Sequence, residues 1–361
     1  MHRKTLISFF FITCLGGLFY RFMYENFKWK LAGYHYNPNF KTVIDDWMGN
    51  PVNPDGHFLN QNLQPLPTFG DLWRWQTQTN PQKAEKKTDT FRLTVLKDDR
   101  FLRSKEDCVV WLGHATFFIR LNGVTLLTDP VFESPSFLMK RFSDLPVAVS
   151  DLKNLDYILV SHDHRDHCDE KSLKTLAAQN PKATYLTGLK LDTLLHKWTQ
   201  STEIQAAGWY QQYRTDTSQI EVIYLPAQHW SRRLLNDTNR TLWGAYLIRA
   251  NGKSLYFGSD SGYGPHYADF KKYFGGVDVA LIGVGAYKPE WFMAASHQSP
   301  ADAVKAAQTM GAKKFIPMHY GTFDLSDEPL GDPYRSLKTL QKRPENQSLI
   351  YLADVGEVIA L

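Results

Sequence analysis

From Cys108 onward the chain alternates short apolar runs with turn-forming pairs, the pattern of β-strands buried on one or both faces. Cys108–Leu112, Thr116–Leu121 and Val124–Thr128 read as three such strands. Between the last two stands Asn122-Gly123, and both central positions of a type I′ turn need positive φ, so the pair predicts a hairpin. A second pair, Asn251-Gly252, joins Leu242–Arg249 to Ser254–Gly258 in the same way. Tyr157–Val160, Ala183–Thr187, Ile220–Leu225, Val277–Gly283, Phe315–Met318 and Leu349–Leu352 complete the predicted strands. Helical signals are fewer. Glu170–Gln179 follows a polar loop, and Ser299-Pro300 opens a helix that carries Ala and Val at helical spacing and ends at Gly311. Two runs of strands, each followed by helices, predict an α/β fold with two packed sheets and helices outside.

Before Cys108 the pattern changes. Thr5 to Tyr20 is an uncharged, mostly apolar run behind His2-Arg3-Lys4. It is somewhat short for a hydrocarbon core of ~30 Å, so a signal-peptide core and a short anchor both fit. Arg3 and Lys4 favour a cytoplasmic N-terminus. The expectation is a protein held to a membrane by residues 1–25 with its catalytic domain exported, periplasmic in a bacterium, or secreted after signal cleavage. Residues 26–106, rich in Pro, Asn, Trp and charge, read as an extended, irregular arm packing on the core, with a short helix at Gly70–Gln76. Residues 107–361 form the main domain.

Composition adds limits. At 361 residues with 43% hydrophobic and 22% charged positions the chain can bury a large core. Its net charge of +4, without a Lys/Arg block, argues against a nucleic-acid partner. Cys14, Cys108 and Cys168 define neither a disulfide framework nor a zinc knuckle, and a Cys108–Cys168 bridge stays open. Oligomeric state is not legible.

The chemistry concentrates after Tyr157–Val160, where His162, His164, Asp166 and His167 follow one another. In an extended strand His162 and His164 share a face, and a turn at Arg165 brings Asp166 and His167 beside them. Three imidazoles and a carboxylate suit a borderline-soft divalent metal, whereas ordinary turns are built from Gly, Asn and Ser. Further ligands are expected at other strand ends. His229, Asp260 and His319 each follow an apolar strand beside small or turn-forming residues.

With these residues the chain resembles the metallo-β-lactamase superfamily, whose H-x-H-x-D-H signature stands here as His162, His164, Asp166 and His167. The resemblance implies an αββα four-layer sandwich with a dinuclear, usually zinc, site; Fe or Mn also suits such mixed ligands. It implies that His162, His164 and His229 hold one metal, that Asp166, His167 and His319 hold the other, and that Asp260 bridges them with a hydroxide. Asp129, in Thr128-Asp129-Pro130, would orient ligands. Further runs resemble the N-acylphosphatidylethanolamine-hydrolysing phospholipase D family: Trp111-Leu112-Gly113-His114-Ala115-Thr116, Gln228-His229-Trp230, Asp260-Ser261-Gly262-Tyr263, Gly285 to Met293, and His319-Tyr320-Gly321-Thr322-Phe323. That family also has a His three residues before a Pro, matched by His297 and Pro300.

The expected function is hydrolysis of a phosphodiester in N-acylphosphatidylethanolamine or a similar glycerophospholipid, with metal-bound hydroxide as nucleophile. Asp166 and Asp260 serve the reacting centre, and His297 suits protonation of the leaving oxygen or binding of phosphate. His114 is open between a catalytic and a structural part. Trp230, Trp243, Trp291, Phe292 and Met293 either form an apolar entrance for acyl chains or belong to the core. Phospholipid and membrane are the expected partners. The alternatives are a lactonase or esterase of the ascorbate-6-phosphate lactonase type and a non-catalytic metal-binding protein.

Overall fold

The computed structural model describes residues 30–63, 67–137, 139–216 and 218–361; the expected anchor at residues 1–25 lies outside them. In chain order the strands are β1 (Gly33–His35), β2 (Lys41–Thr42), β3 (Asn50–Val52), β4 (Cys108–Gly113), β5 (Thr116–Leu121), β6 (Val124–Thr128), β7 (Tyr157–Val160), β8 (Thr184–Gly188) and β9 (Ile204–Ala207). They continue with β10 (Gln211–Gln212), β11 (Glu221–Leu225), β12 (Ala245–Ala250), β13 (Lys253–Phe257), β14 (Val277–Gly283), β15 (Ala312–Met318) and β16 (Val358–Ala360). One sheet runs β16-β4-β5-β6-β7-β8-β9 and the other β15-β14-β13-β12-β11-β10-β2.

Side-chain alternation explains the layering. Along β4, Val109 and Trp111 face the second sheet, packing with β12 and β13 residues such as Tyr246 and Phe257. Val110 and Leu112 face the other way, onto Leu173 and Leu176 of the helix Glu170–Gln179 and Leu195 of the helix Asp192–Thr199. The outer face of the second sheet is covered by the helices His266–Phe274, Pro300–Met310 and Asp332–Gln341 through Phe270, Ala307 and Leu337. The result is the expected αββα sandwich. Full burial of side chains such as these is worth ~1.5–3 kcal/mol each.

Both Asn-Gly hairpins form, with positive φ at Asn122, Gly123, Asn251 and Gly252. The helix Pro300–Met310 is capped by Ser299, whose Oγ accepts from Asp302 N, and ends on left-handed Gly311. Two expectations need correction. Leu349–Leu352 is not a strand: it meets β15 through one parallel bridge, Phe315 to Ile350, and the closing strand is β16. Leu242 to Gly244 precede β12 rather than belong to it, because the backbone there is drawn onto neighbours: Leu242 N donates to Leu189 O.

The arm is more regular than expected. β2 pairs with β10 at the edge of the second sheet, β1 pairs with β3, and the short helix spans Phe69–Thr77, closed by a capping box between Thr68 and Asp71. Cys108 and Cys168 are both buried free thiols, so they form no bridge. Among the described residues no helix is long and apolar enough to cross a membrane.

Candidate metal centre

Every predicted ligand sits just past a strand end on one rim of the sandwich. His162, His164, Asp166 and His167 follow β7, His229 follows β11, Asp260 follows β13 and His319 follows β15. The loop after β7 closes as a turn, with the amides of His167 and Cys168 donating to His164 O at 3.1 and 2.8 Å. Asp169 then caps the next helix, its Oδ2 accepting from Ser172 N at 2.8 Å. Four residues at this rim, His114, Asp129, Ser259 and His319, hold a positive φ despite carrying side chains. Backbone strain of that kind persists only where the surroundings over-determine it, and it concentrates at functional sites.

The ligand atoms fall into two groups. His164 Nδ1 faces His162 Nε2 at 2.9 Å and His229 Nε2 at 3.1 Å. His167 Nε2 faces His319 Nε2 at 3.1 Å, and Asp166 Oδ2 lies 3.6 and 3.5 Å from the same two nitrogens. Asp260 stands between the groups: Oδ2 is 3.1 Å from His167 Nε2 and 3.7 Å from His229 Nε2, and Oδ1 is 2.9 Å from His319 Nε2.

Hydrogen bonds on the far side of each ring decide what the near side offers. Ser161 Oγ donates to Asp129 Oδ2, so it accepts from His162 Nδ1; His229 Nδ1 donates to Ser296 O at 2.9 Å. Both Nε2 atoms therefore present lone pairs to His164 Nδ1, and three nitrogens converge with at most one proton among them. A cation resolves that repulsion. Tetrahedral zinc with nitrogen ligands would set neighbouring ligand atoms about 3.3 Å apart, close to the spacing found. The His/Asp cluster is thus able to hold metal.

Asp129 organises the second half from behind. Fully buried, it accepts from Ser161 N, Ser161 Oγ and His167 Nδ1 at 2.7, 2.6 and 2.8 Å, which fixes the His167 ring with Nε2 inward. Burial raises the Asp129 carboxyl even against these donors. Burial and the surrounding imidazoles hold His162 well below the ordinary range. Burial also lowers His229 far below that range and brings His164 down to about 4, in both cases against nearby carboxylates. His319 behaves oppositely: burial would lower it, but Asp260 and Asp166 lift it to about 9. His167 is likewise raised, Asp260 and Asp166 outweighing its burial.

Two contributors were hidden or undecided in the sequence. His114 Nε2 is 3.1 Å from Asp166 Oδ2, and its ring lies 4.0 Å from the His319 ring between centroids, so it braces two members of one group. Asn60 belongs to the arm. Its Nδ2 donates to His229 O at 3.0 Å and its Oδ1 accepts from His229 N at 3.1 Å, gripping that residue's backbone on both sides.

The centre opens into a cleft of about 610 Å³. Phe69, Leu72 and Trp75 of the arm helix, with Trp230, Phe292 and Met293, supply its apolar lining, and His297 lines it with Nδ1 3.9 Å from Asp260 Oδ2. Burial lowers His297 to about 4, so the ring is neutral near pH 7. Trp291 stands partly exposed beneath Arg74. Trp243 belongs to the core, not to an entrance: it is buried, and Nε1 donates to Ala227 O at 2.9 Å.

Comparison with known proteins agrees with this architecture. The Beta-lactamase superfamily domain pattern matches residues 125–320. The chain is 33% identical over 269 residues to N-acyl-phosphatidylethanolamine-hydrolyzing phospholipase D 1 of Caenorhabditis elegans, covering 69% of this chain and 74% of that protein. It is 30% identical over 265 residues to the mitochondrial N-acyl-phosphatidylethanolamine-hydrolyzing phospholipase D of Saccharomyces cerevisiae, covering 68% of this chain but only 54% of the yeast protein. Among solved structures, Igni18, a metallo hydrolase from Ignicoccus hospitalis, shares the fold with a TM-score of 0.54 at 18% identity, over 71% of this chain and 98% of that one.

Proposed function

This chain belongs to the metallo-β-lactamase superfamily of metal-dependent hydrolases, and we propose that it is a phospholipase D that cleaves N-acylphosphatidylethanolamine or a similar glycerophospholipid. The observation that carries the reading is Asp260, set between two ligand groups at the floor of a cleft with apolar walls. His162, His164 and His229 would hold one zinc ion, Asp166, His167 and His319 the other, with Asp260 shared. Metal bound there would supply Lewis-acid charge and a water of lowered pKa. Lipid-hydrolysing relatives of about one-third identity support the substrate class.

The chain's own residues do the rest. Asp129, Ser161 and Ser296 fix the ring orientations, so the centre needs little reorganisation when charge develops. Leu72, Trp75 and Phe292 would limit water and, with the exposed Phe69 at the mouth, receive acyl chains. His297 is assigned the leaving oxygen: a neutral ring beside Asp260 offers one N–H as a hydrogen-bond donor to that oxygen as the P–O bond breaks, and the alcohol's proton comes from the attacking water. Water's oxygen ends on phosphorus, giving phosphatidic acid and an N-acylethanolamine. An anchor at residues 1–25 would keep the cleft near lipid.

The test is a substrate screen on full-length protein of measured metal content. Release of phosphatidic acid from N-acylphosphatidylethanolamine is expected. Turnover of lactones or simple esters with every diester lipid left intact would replace this reading with the lactonase one.

A further inference from the structure

Among the described residues, two charged side chains at the cleft lack an ion-pair or hydrogen-bond partner. Apart from Asp166 and Asp260, whose oxygens are engaged by imidazoles, the charged lining residues are Arg165, Arg232 and Arg233. Arg233 is committed: Nη1 donates to Cys168 O at 2.5 Å and to Asp163 O at 3.3 Å, and its guanidinium lies 4.7 Å from the Trp198 ring centre. The side chains of Arg165 and Arg232 make no ion pair or hydrogen bond among the described residues. Elsewhere Arg100, Arg103, Arg249 and Arg335 each lie against a carboxylate, whereas Arg165 and Arg232 differ from other unpaired arginines in lining the cleft.

Their placement is defined by neighbours. Arg165 stands between the ligands His164 and Asp166 in the loop after β7. Arg232 lies over Trp230, 5.1 Å from the ring centre, and Trp230 is packed edge-on against His164 at 4.5 Å between centroids. One arginine is therefore next to the centre along the chain, and the other is one aromatic ring away through space.

We propose that Arg165 and Arg232 recognise a second anionic group on the substrate, beyond the phosphodiester that is hydrolysed. The preferred substrate class is then a glycerophospholipid whose headgroup carries a carboxylate or phosphate, rather than one with an uncharged headgroup. This inference rests on the phosphodiesterase reading. Metal held by the ligand groups at the floor of the cleft would match the single diester charge, which leaves the two guanidinium groups to meet another. Arg232, lying over Trp230, can present paired N–H donors to a carboxylate or phosphate.

The experiment compares N-acylphosphatidylethanolamine with N-acylphosphatidylserine of the same acyl chains, which adds one headgroup carboxylate, in mixed micelles with zinc-loaded full-length protein. The readout is the ratio of the two kcat/KM values. The wild type is expected to favour the carboxylate-bearing lipid by about tenfold, and the preference shrinks as salt screens it. Arg232→Gln and Arg165→Gln each lower the ratio, Arg232→Glu inverts it, and Arg232→Lys retains part of it. If both lipids are cleaved with a ratio near one, or if the ratio ignores these substitutions, the second anion site is wrong while the phosphodiesterase reading stands. If neither lipid is cleaved, both fall.

Discussion

Truncating Asn60 to alanine tests whether the arm belongs to the metal centre. The side chain is buried, at 2% exposure, and makes two hydrogen bonds to the backbone of a fully buried residue, His229, 169 positions away. Asn60→Ala strands one N–H and one C=O inside the protein. Each abandoned buried group costs about 1–3 kcal/mol, giving about 2–6 kcal/mol in all. A small pocket lined by Asn60, Gln61 and Ala227 adjoins the clamp, so water can enter after truncation and the lower half, about 2–4 kcal/mol, is expected. Denaturant unfolding of the full-length chain reads the stability, and metal content after dialysis reads the consequence. Metal content should fall, and by one ion per chain if both ligand groups are filled as proposed, because only the group containing His229 is loosened. Asn60→Asp, which keeps an acceptor for His229 N but has no donor for His229 O, should fall between. A variant within ~0.5 kcal/mol of wild type and equally metallated would show that the clamp positions nothing.

Gly285 approaches the centre so closely that an added Cβ would stand 2.0 Å from His319 O, so Gly285→Ala should displace that ligand and cost more than about tenfold in activity with loss of metal, checked by emission spectroscopy beside a circular dichroism spectrum. His164→Ala or Asp260→Asn should remove nearly all hydrolysis and at least one metal; full activity in either would mean the cluster does not serve the reaction. His167 and His319 are raised above the ordinary histidine value, so near pH 7 both hold a proton that an arriving cation must displace. Metal binding should then release protons near neutrality, with the share from His319 falling as pH rises through about 9, measured calorimetrically in buffers of different protonation enthalpy; pH-independent release would contradict this. In the metal-free chain the same sign means that the stabilisation from these protons is present below the unfolded value and lost as pH rises through the folded one.

The sandwich was readable where local chemistry leaves no alternative. Asn122-Gly123 and Asn251-Gly252 demand positive φ, and Ser299, Pro300 and Gly311 bound a helix from both ends. The His/Asp cluster was readable because its members follow apolar strands. The helix His266–Phe274 was not, since its buried residues His266, Tyr267 and Phe270 include strand-favouring aromatics and its N-terminus, at Pro265, has no side-chain cap. Leu349–Leu352 has strand composition, but only one of its residues bridges to β15. Trp243 shows that an aromatic beside a functional motif can be core. Asn60 shows the deeper limit: its partner is 169 residues distant, and nothing local marks an asparagine as a clamp.

The sheet edges bear on how copies of this chain behave towards one another. The second sheet tapers to two-residue strands, β10 and β2, and its opposite edge, β15, has Phe315 N and O already bonded to Leu349 and Tyr351. The first sheet ends in β16, three residues long, and β9, four residues long, where Asn37 Nδ2 donates to Ala206 O. No edge among the described residues offers a long unsatisfied ladder to a neighbouring molecule, the usual template for strand-to-strand aggregation. By adding β2 beside β10 and Asn37 beside β9, the arm occupies backbone groups on one edge of each sheet.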